Sequence, residues 1–130
     1  MTQCIVCGKA GDKHHVIHKA EGGLDTPLNI IYLCPEHHRG PLGPHRNEEV
    51  DQGYKKEMQQ RLEQLFSKKY YSALEIRGLS QLSHSMMKKF IKSTHRYKEG
   101  YQREDIIFFL MGGNCYRYEE PLMLQLAEQF

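Results

Sequence analysis

The stretch LCPEHHRG, residues 33–40, sets two neighbouring histidines three and four residues behind a cysteine. Cys34 and His37 have the spacing of a metal knuckle, in which a tight turn directs both side chains at one ion. The same two-residue spacer separates Cys4 from Cys7. Together Cys4, Cys7, Cys34 and His37 make a tetrahedral Cys3His site for a structural Zn2+, because four protein ligands leave no open position for chemistry. The ion is expected to pin the N-terminal knuckle to the end of the strand-like segment LNIIYL. Two unrelated pairs are the alternative, free cysteine being a common buried residue. With His37 assigned to the zinc, His38 should point away from it, and its task lies elsewhere.

The rest of the chain favours a metal over disulfides. The start, MTQCIVCGKAGDKHH, lacks the apolar stretch of a signal peptide, so a reducing cytoplasm, of a bacterial host, is expected. There, closely spaced cysteines serve metals more often than they form disulfides. With 130 residues, 39% of them hydrophobic, and no apolar run near the ~18 residues of a membrane span, the chain reads as soluble and about one domain in size. A domain this small benefits from a metal.

Organisation changes near residue 48. Residues 1–47 are rich in Cys, His, Gly and Pro, and predict short strands, tight turns and one brief helix, with LNIIYL (28–33) the best strand and GPLGP (40–44) a loop. Gly22-Gly23 reads as the bend of a hairpin loop. From Glu48 onward, Tyr54, Met58, Leu62, Leu65 and Phe66 recur at helical spacing behind the acidic start Glu48, Glu49 and Asp51, which suits a helix N-terminus. Leu82, Met86, Met87, Phe90 and Ile91 mark a second helix, Ile106 to Met111 a third that stops at Gly112-Gly113, and a fourth follows Pro121. The fold class expected is α+β: an N-terminal module over 1–47 and an all-helical region over 48–130.

Ahead of the strand, KHHVIH (13–18) repeats the puzzle of a doubled histidine. One member of each pair can bind an ion while the other acts on a substrate. At these elements, CIVC, then KHHVIHKAEGG, PLNIIYLC and PEHHRG, the sequence resembles the HNH endonucleases, whose ββα-metal motif is named after a His, an Asn and a His. The resemblance runs from Cys4 to about His45. It implies hydrolysis of DNA phosphodiesters, with His15 as general base, Asn29 as the central asparagine bonded across the hairpin, and His14 and His38 as ligands of a divalent catalytic metal. Two departures matter. The position of His14 is often Asp in this family, so a histidine there makes the site softer and widens the metal choice beyond Mg2+ to include Zn2+, Ni2+ or Mn2+. A third ligand often lies four residues after the final histidine, which here is Leu42; His45 is the natural substitute. Small free-standing proteins of this kind are frequent in phages.

The residue types suit that chemistry on their own terms. An attacking water must lose a proton near neutral pH, which an imidazole of pKa about 6.5 can accept. His18, His84 and His95 read as surface or hydrogen-bonded packing histidines, His18 being close enough to the site to touch phosphate. Cys115 has no partner at metal spacing and is expected as a buried thiol. The Met86-Met87-Phe90-Ile91 cluster is expected as core or helix-packing surface rather than a binding groove.

Net charge is +2, but eleven Lys or Arg stand against three Glu between residues 55 and 98. That asymmetry suits nucleic acid. Lys68, Lys69, Lys88, Lys89, Lys92 and Arg96, which flank the apolar helix positions, are the candidate DNA contacts. Two other readings stand beside the nuclease: a catalytically silent, zinc-finger-like regulator that binds DNA or protein, and an interaction protein that captures a protein partner through its helices.

Overall fold

The computed structural model describes residues 2–117. Strands β1 (Asp12–His15) and β2 (Ile30–Leu33) pair antiparallel, with His14 opposite Ile31 and His15 opposite Ile30. A short helix, α1 (Pro35–Arg39), follows β2 directly and packs on both strands. Its N-cap is Cys34 and its first residue Pro35, whose fixed φ and missing N–H suit the first helical position. Four more helices follow: α2 (Glu48–Leu65), α3 (Ala73–Ser80), α4 (His84–Ser93) and α5 (Arg103–Leu110). A two-residue antiparallel ladder, β3 (Tyr70–Tyr71) with β4 (Tyr101–Gln102), sits among them. The architecture is thus α+β, an N-terminal ββα module followed by a helical region, which is helical but for that ladder.

Several boundaries differ from the sequence reading, each for a local reason. The strand expected over 28–33 begins only at Ile30, because the Thr26 side chain accepts from the Leu28 amide and starts a 3-10 turn over Pro27–Asn29. Leu82 lies in the turn before α4 rather than on it. It is buried there, and Ser83 caps the helix by accepting from the Met86 amide at 3.2 Å. Ile91 is 47% exposed, so the apolar cluster of α4 is core only at Met87 and Phe90, with Met86 packed beside them. Helix α5 starts three residues before Ile106 and ends where Gly112 and Gly113 take positive φ. The chain then runs over the surface, which leaves Cys115 exposed instead of buried. The helix expected after Pro121 lies outside the described residues.

One continuous core spans both halves. Val16, Ile17 and Leu33 from the hairpin join Met58 and Leu62 of α2, Ile76, Phe90, and Ile106 and Leu110 of α5. Polar contacts cross as well: Thr26 Oγ1 donates to the Ser80 carbonyl at 2.8 Å, and Asn114 Nδ2 to the Glu21 carbonyl at 2.9 Å. The Arg103 side chain donates to the Glu63 and Phe66 carbonyls at the end of α2. No helix among the described residues is long and apolar enough to cross a membrane.

Candidate metal centres and active site

Two secondary structures separate the doubled histidines, each by its own period. On α1, successive residues turn by about 100°, so His37 and His38 leave the helix in different directions. On β1, successive side chains take opposite faces, so buried His14 looks inward to α1 while His15 looks out.

His37 joins the cysteines. Its Nδ1 lies 3.6 Å from Cys4 Sγ and 3.2 Å from Cys34 Sγ, and Cys7 Sγ lies 3.7 Å from Cys34 Sγ. With Zn–S near 2.3 Å and Zn–N near 2.0–2.1 Å, the edges of a tetrahedron would be about 3.8 Å between sulfurs and about 3.6 Å from sulfur to nitrogen. The four donors therefore fit a zinc ion. The knuckle at Cys4 is closed by the Gly8 amide donating to the Cys4 carbonyl at 2.9 Å, and the second by the His38 amide donating to the Cys34 carbonyl at 2.8 Å. Burial raises the Cys4 pKa, but the backbone amides of Cys34, Cys7 and Val6 and the His37 ring outweigh it and bring the thiol down to about 6. That favours the thiolate a metal needs.

His38 meets His14 and His45. His14 Nδ1 lies 3.2 Å from His38 Nε2, and His45 Nε2 lies 2.9 Å from the same atom. These two separations are close to the edges of about 3.3 Å expected for imidazoles sharing one small cation, and the three ligand atoms all lie within 4.8 Å of one another. Burial first, then the neighbouring imidazoles of His38, His45 and His18, pushes the His14 pKa down to about 3. Burial likewise lowers His38 and His45. All three thus keep the lone pairs a cation would use near neutral pH. His14 Nε2, the ring nitrogen that does not face His38, is buried with no hydrogen-bond partner among the described residues, a costly arrangement.

A second donor set shares His14. His18, on the loop after β1, places Nε2 3.1 Å from Asp51 Oδ1 and Nδ1 3.3 Å from Glu21 Oε1. His14, His18 and Asp51 form a further group with ligand atoms within 4.8 Å of one another. Lys55, one turn along α2 from Asp51, is buried and bridges Asp51 Oδ2 at 2.7 Å and Glu21 Oε2 at 2.8 Å. Burial lowers its pKa, but the two carboxylates outweigh burial and raise it. Lys55 is thus one of the eleven bases that does not reach the surface. The sequence reading took Asp51 for a helix-start acid only. Its spacing from Lys55, four residues on a helix, was the available hint.

His15 Nε2 pairs with Asp25 Oδ1 at 3.2 Å, and this hydrogen bond is the chief cause of a lowered Asp25 pKa. Asp25 sits ten residues on from His15 in the loop, and no spacing rule pointed to it. Asn29 is fully buried and bonds the backbone two residues beyond His15: its Oδ1 accepts from the Ile17 amide at 2.7 Å, and its Nδ2 donates to the Ile17 and Leu24 carbonyls at 3.0 and 2.9 Å. Its carbonyl accepts from the Val16 amide at 2.8 Å. Glycine is needed beside this loop, since a Cβ on Gly23 would fall 1.8 Å from the Ile17 carbonyl oxygen. Over the whole site lies a cleft of about 220 Å³, lined by the histidines and by Lys13, Lys19 and Arg39. These three cations were not singled out from sequence.

Lys68, Lys69, Lys88, Lys89, Lys92 and Arg96 are all exposed, though Lys68 is paired with Glu75. His84 and His95 are also at the surface.

The ββα hairpin thus carries a Cys3His cluster and a group of imidazoles, each able to hold a metal ion. The family model of the HNH endonuclease matches residues 4–40, so the N-terminal module is of HNH type. The match stops short of His45 and Asp51. No curated protein and no solved structure matches the chain.

Proposed function

We propose that the protein is a metal-dependent DNA endonuclease or nickase, with His15 as general base. The observation that carries the reading is the split of roles across β1: His14 turns in to His38 and His45, whereas His15 turns out, held by Asp25, into a cleft lined by cations. His14, His38 and His45 would hold a divalent catalytic metal, Mg2+, Mn2+, Ni2+ or Zn2+. When bound there, such an ion stabilises charge on the scissile phosphate and on the departing 3′ oxygen. Cys4, Cys7, Cys34 and His37 would hold Zn2+ and keep the hairpin folded.

The chain's own groups supply the rest. His15 takes the proton from the attacking water, and Asp25 orients the ring and stabilises the imidazolium that results. Asn29 fixes the loop that follows, and a base displaced by about 1 Å can cost on the order of a hundredfold in rate. Lys13, Lys19 and Arg39 grip phosphate at the cleft. By the HNH resemblance the products carry 5′-phosphate and 3′-hydroxyl ends. Residues 1–47 are the nuclease module and residues 48–130 contact DNA, with Lys68, Lys69, Lys88, Lys89, Lys92 and Arg96 on phosphates. A catalytically silent regulator would have no use for the His15–Asp25 pair, which favours the enzyme.

The test is cleavage of supercoiled plasmid with Mg2+, Mn2+, Ni2+ and Zn2+ in turn, with His15→Ala as control. Nicked or linear product from the wild type, lost in the variant, is expected. Product formed equally by His15→Ala, or by neither protein with any ion, would overturn the reading.

A further inference from the structure

Helices α3 and α4 pack on one another across a turn of three residues, Gln81, Leu82 and Ser83. Gln81 takes the left-handed conformation with φ 56°, its amide donating to the Arg77 carbonyl, and so ends α3 abruptly. Leu82 drops into the core with Ile76, Met87 and Phe90, which locks the two helices at one angle. Ser83 then caps α4. A three-residue turn between two packed helices has the length that joins the helices of a helix-turn-helix.

The outward face of α4 carries Ser85, Lys88, Lys89 and Lys92, which recur at three and four residues, with His84 at its start, all exposed. Acidic side chains are absent from the whole helix, HSMMKKFIKS. Beside it, residues 94–100 form a small loop closed by two bonds, Tyr97 amide to Gly100 carbonyl at 2.9 Å and the reverse at 3.1 Å. Gly100, with φ 125°, lets that loop lie against β3, since a Cβ would meet the Tyr71 carbonyl oxygen at 2.6 Å. The loop exposes His95, Arg96 and Lys98 alongside one acid, Glu99. The β3–β4 ladder fixes this loop relative to the start of α3, which is capped by Ser72 and Glu75.

We propose that α3 and α4 form a helix-turn-helix that reads duplex DNA sequence through the outer face of α4 laid in the major groove, with the 94–100 loop on the adjoining backbone. The proposal rests on DNA as the protein's partner and goes beyond it, because charge alone gives binding without sequence preference. The major groove, about 12 Å wide, admits one helix. Near the start of α4, Ser85, Lys88 and Lys89 would meet base edges, the lysines selecting the O6 and N7 acceptors of guanine. Lys92, Arg96 and Lys98 would sit on phosphates. The nuclease module would then be carried to chosen sites rather than cut at random.

The experiment selects binding sites from a randomised duplex library with the full-length His15→Ala protein, so that cleavage does not deplete the pool. A short motif containing guanine is expected. In the same background, Lys88→Ala, Lys89→Ala and Ser85→Ala should each reduce the preference for that motif over unrelated duplex, by about tenfold to a hundredfold for the side chains that make base contacts. Arg61→Ala, on the exposed surface of α2, removes an equal charge and should leave the motif intact. Recovery of no motif, or of one unchanged when all three α4 positions are replaced, overturns the proposal. A wild type that never cleaves DNA, while the motif is still lost with α4, would overturn the nuclease reading alone.

Discussion

Asp51, on the first turn of α2, accepts from His18 across the boundary between the two halves, Oδ1 to Nε2 at 3.1 Å, while its other oxygen takes the Lys55 ammonium at 2.7 Å. One carboxylate thus ties a loop of the hairpin to the helix that follows it. Lys55 has only 2% of its side chain exposed and Asp51 12%, and Lys55 also holds Glu21 at 2.8 Å, so one buried ammonium serves two carboxylates. Lys55→Met is expected to destabilise the protein by about 3 kcal/mol, because it leaves both carboxylates without their cation, and Asp51→Ala by less, because Lys55 keeps Glu21. Urea unfolding of both variants checks this. Equal loss in the two would show that the pair with Glu21 adds nothing.

Stability should fall with acid in a defined window. His14 is held neutral with its pKa near 3, well below its ordinary 6.5. The unfolded chain therefore binds a proton there that the folded chain refuses. The contribution of the neutral ring is fully present above about pH 6.5 and is lost as pH falls from there towards 3. Midpoints of unfolding measured across that range should slope less steeply in His14→Gln than in the wild type. Parallel slopes would mean that other groups, such as Glu21 and Asp25, carry the acid sensitivity.

The Cys3His cluster should be needed for folding of the hairpin. Cys4 and Cys34 are buried and hold both ends of the ββα module, so Cys34→Ser should lower zinc content and unfold it. Elemental analysis together with circular dichroism gives the answer. A protein purified without zinc whose hairpin is intact would contradict the assignment.

Base and ligand should separate on mutation. His15→Ala is expected to abolish cleavage with metal affinity nearly unchanged, while His14→Ala, His38→Ala and His45→Ala should weaken metal binding as well. Asp25→Asn should slow cleavage on the order of tenfold and shift its pH profile, because the base loses the group that orients it. Calorimetric metal titrations beside single-turnover rates distinguish these outcomes. Equal affinity losses at His14 and His15 would refute the division.

Salt dependence should report on the exposed bases. Replacing Lys68, Lys69, Lys88, Lys89, Lys92 and Arg96 by Ala should weaken duplex binding and flatten the slope of affinity against salt by about 0.9 for every phosphate contact removed. Lys68, already paired with Glu75, should contribute least. An unchanged slope in isotherms at several salt concentrations would mean that these side chains are merely solvated.

Local signals were legible where one short period or spacer carried them. The knuckle cysteines, the doubled histidines, the start of α2 and the stop of α5 before Gly112-Gly113 all follow from spacing, turn chemistry or caps within a few residues. What the sequence hid was set by distance. Asp51 reaches His18 and Asp25 reaches His15 only because the loop after β1 folds over, and no periodicity encodes that. The β3–β4 ladder has two residues on each side, too few for an alternation to register, and α3 has a half-apolar pattern, ALEIRGLS, that gains its inner face only from Phe90 and its neighbours in the core. His45 could be reached by reasoning because a Gly-Pro loop left one histidine within range; Lys13, Lys19 and Arg39 gave no such sign among ordinary surface bases.

The grip of α2 on the loop after β1 also bears on how such a module could be borrowed. A gene rearrangement that cut just after residue 47 would deliver His14, His38 and His45 to a new host protein, yet leave His18 without Asp51, Glu21 without Lys55, and Val16 and Ile17 facing water. The portable cassette is therefore longer than the motif: it reaches at least through Leu62, and any lineage that exchanges this module should be found exchanging the helix along with it.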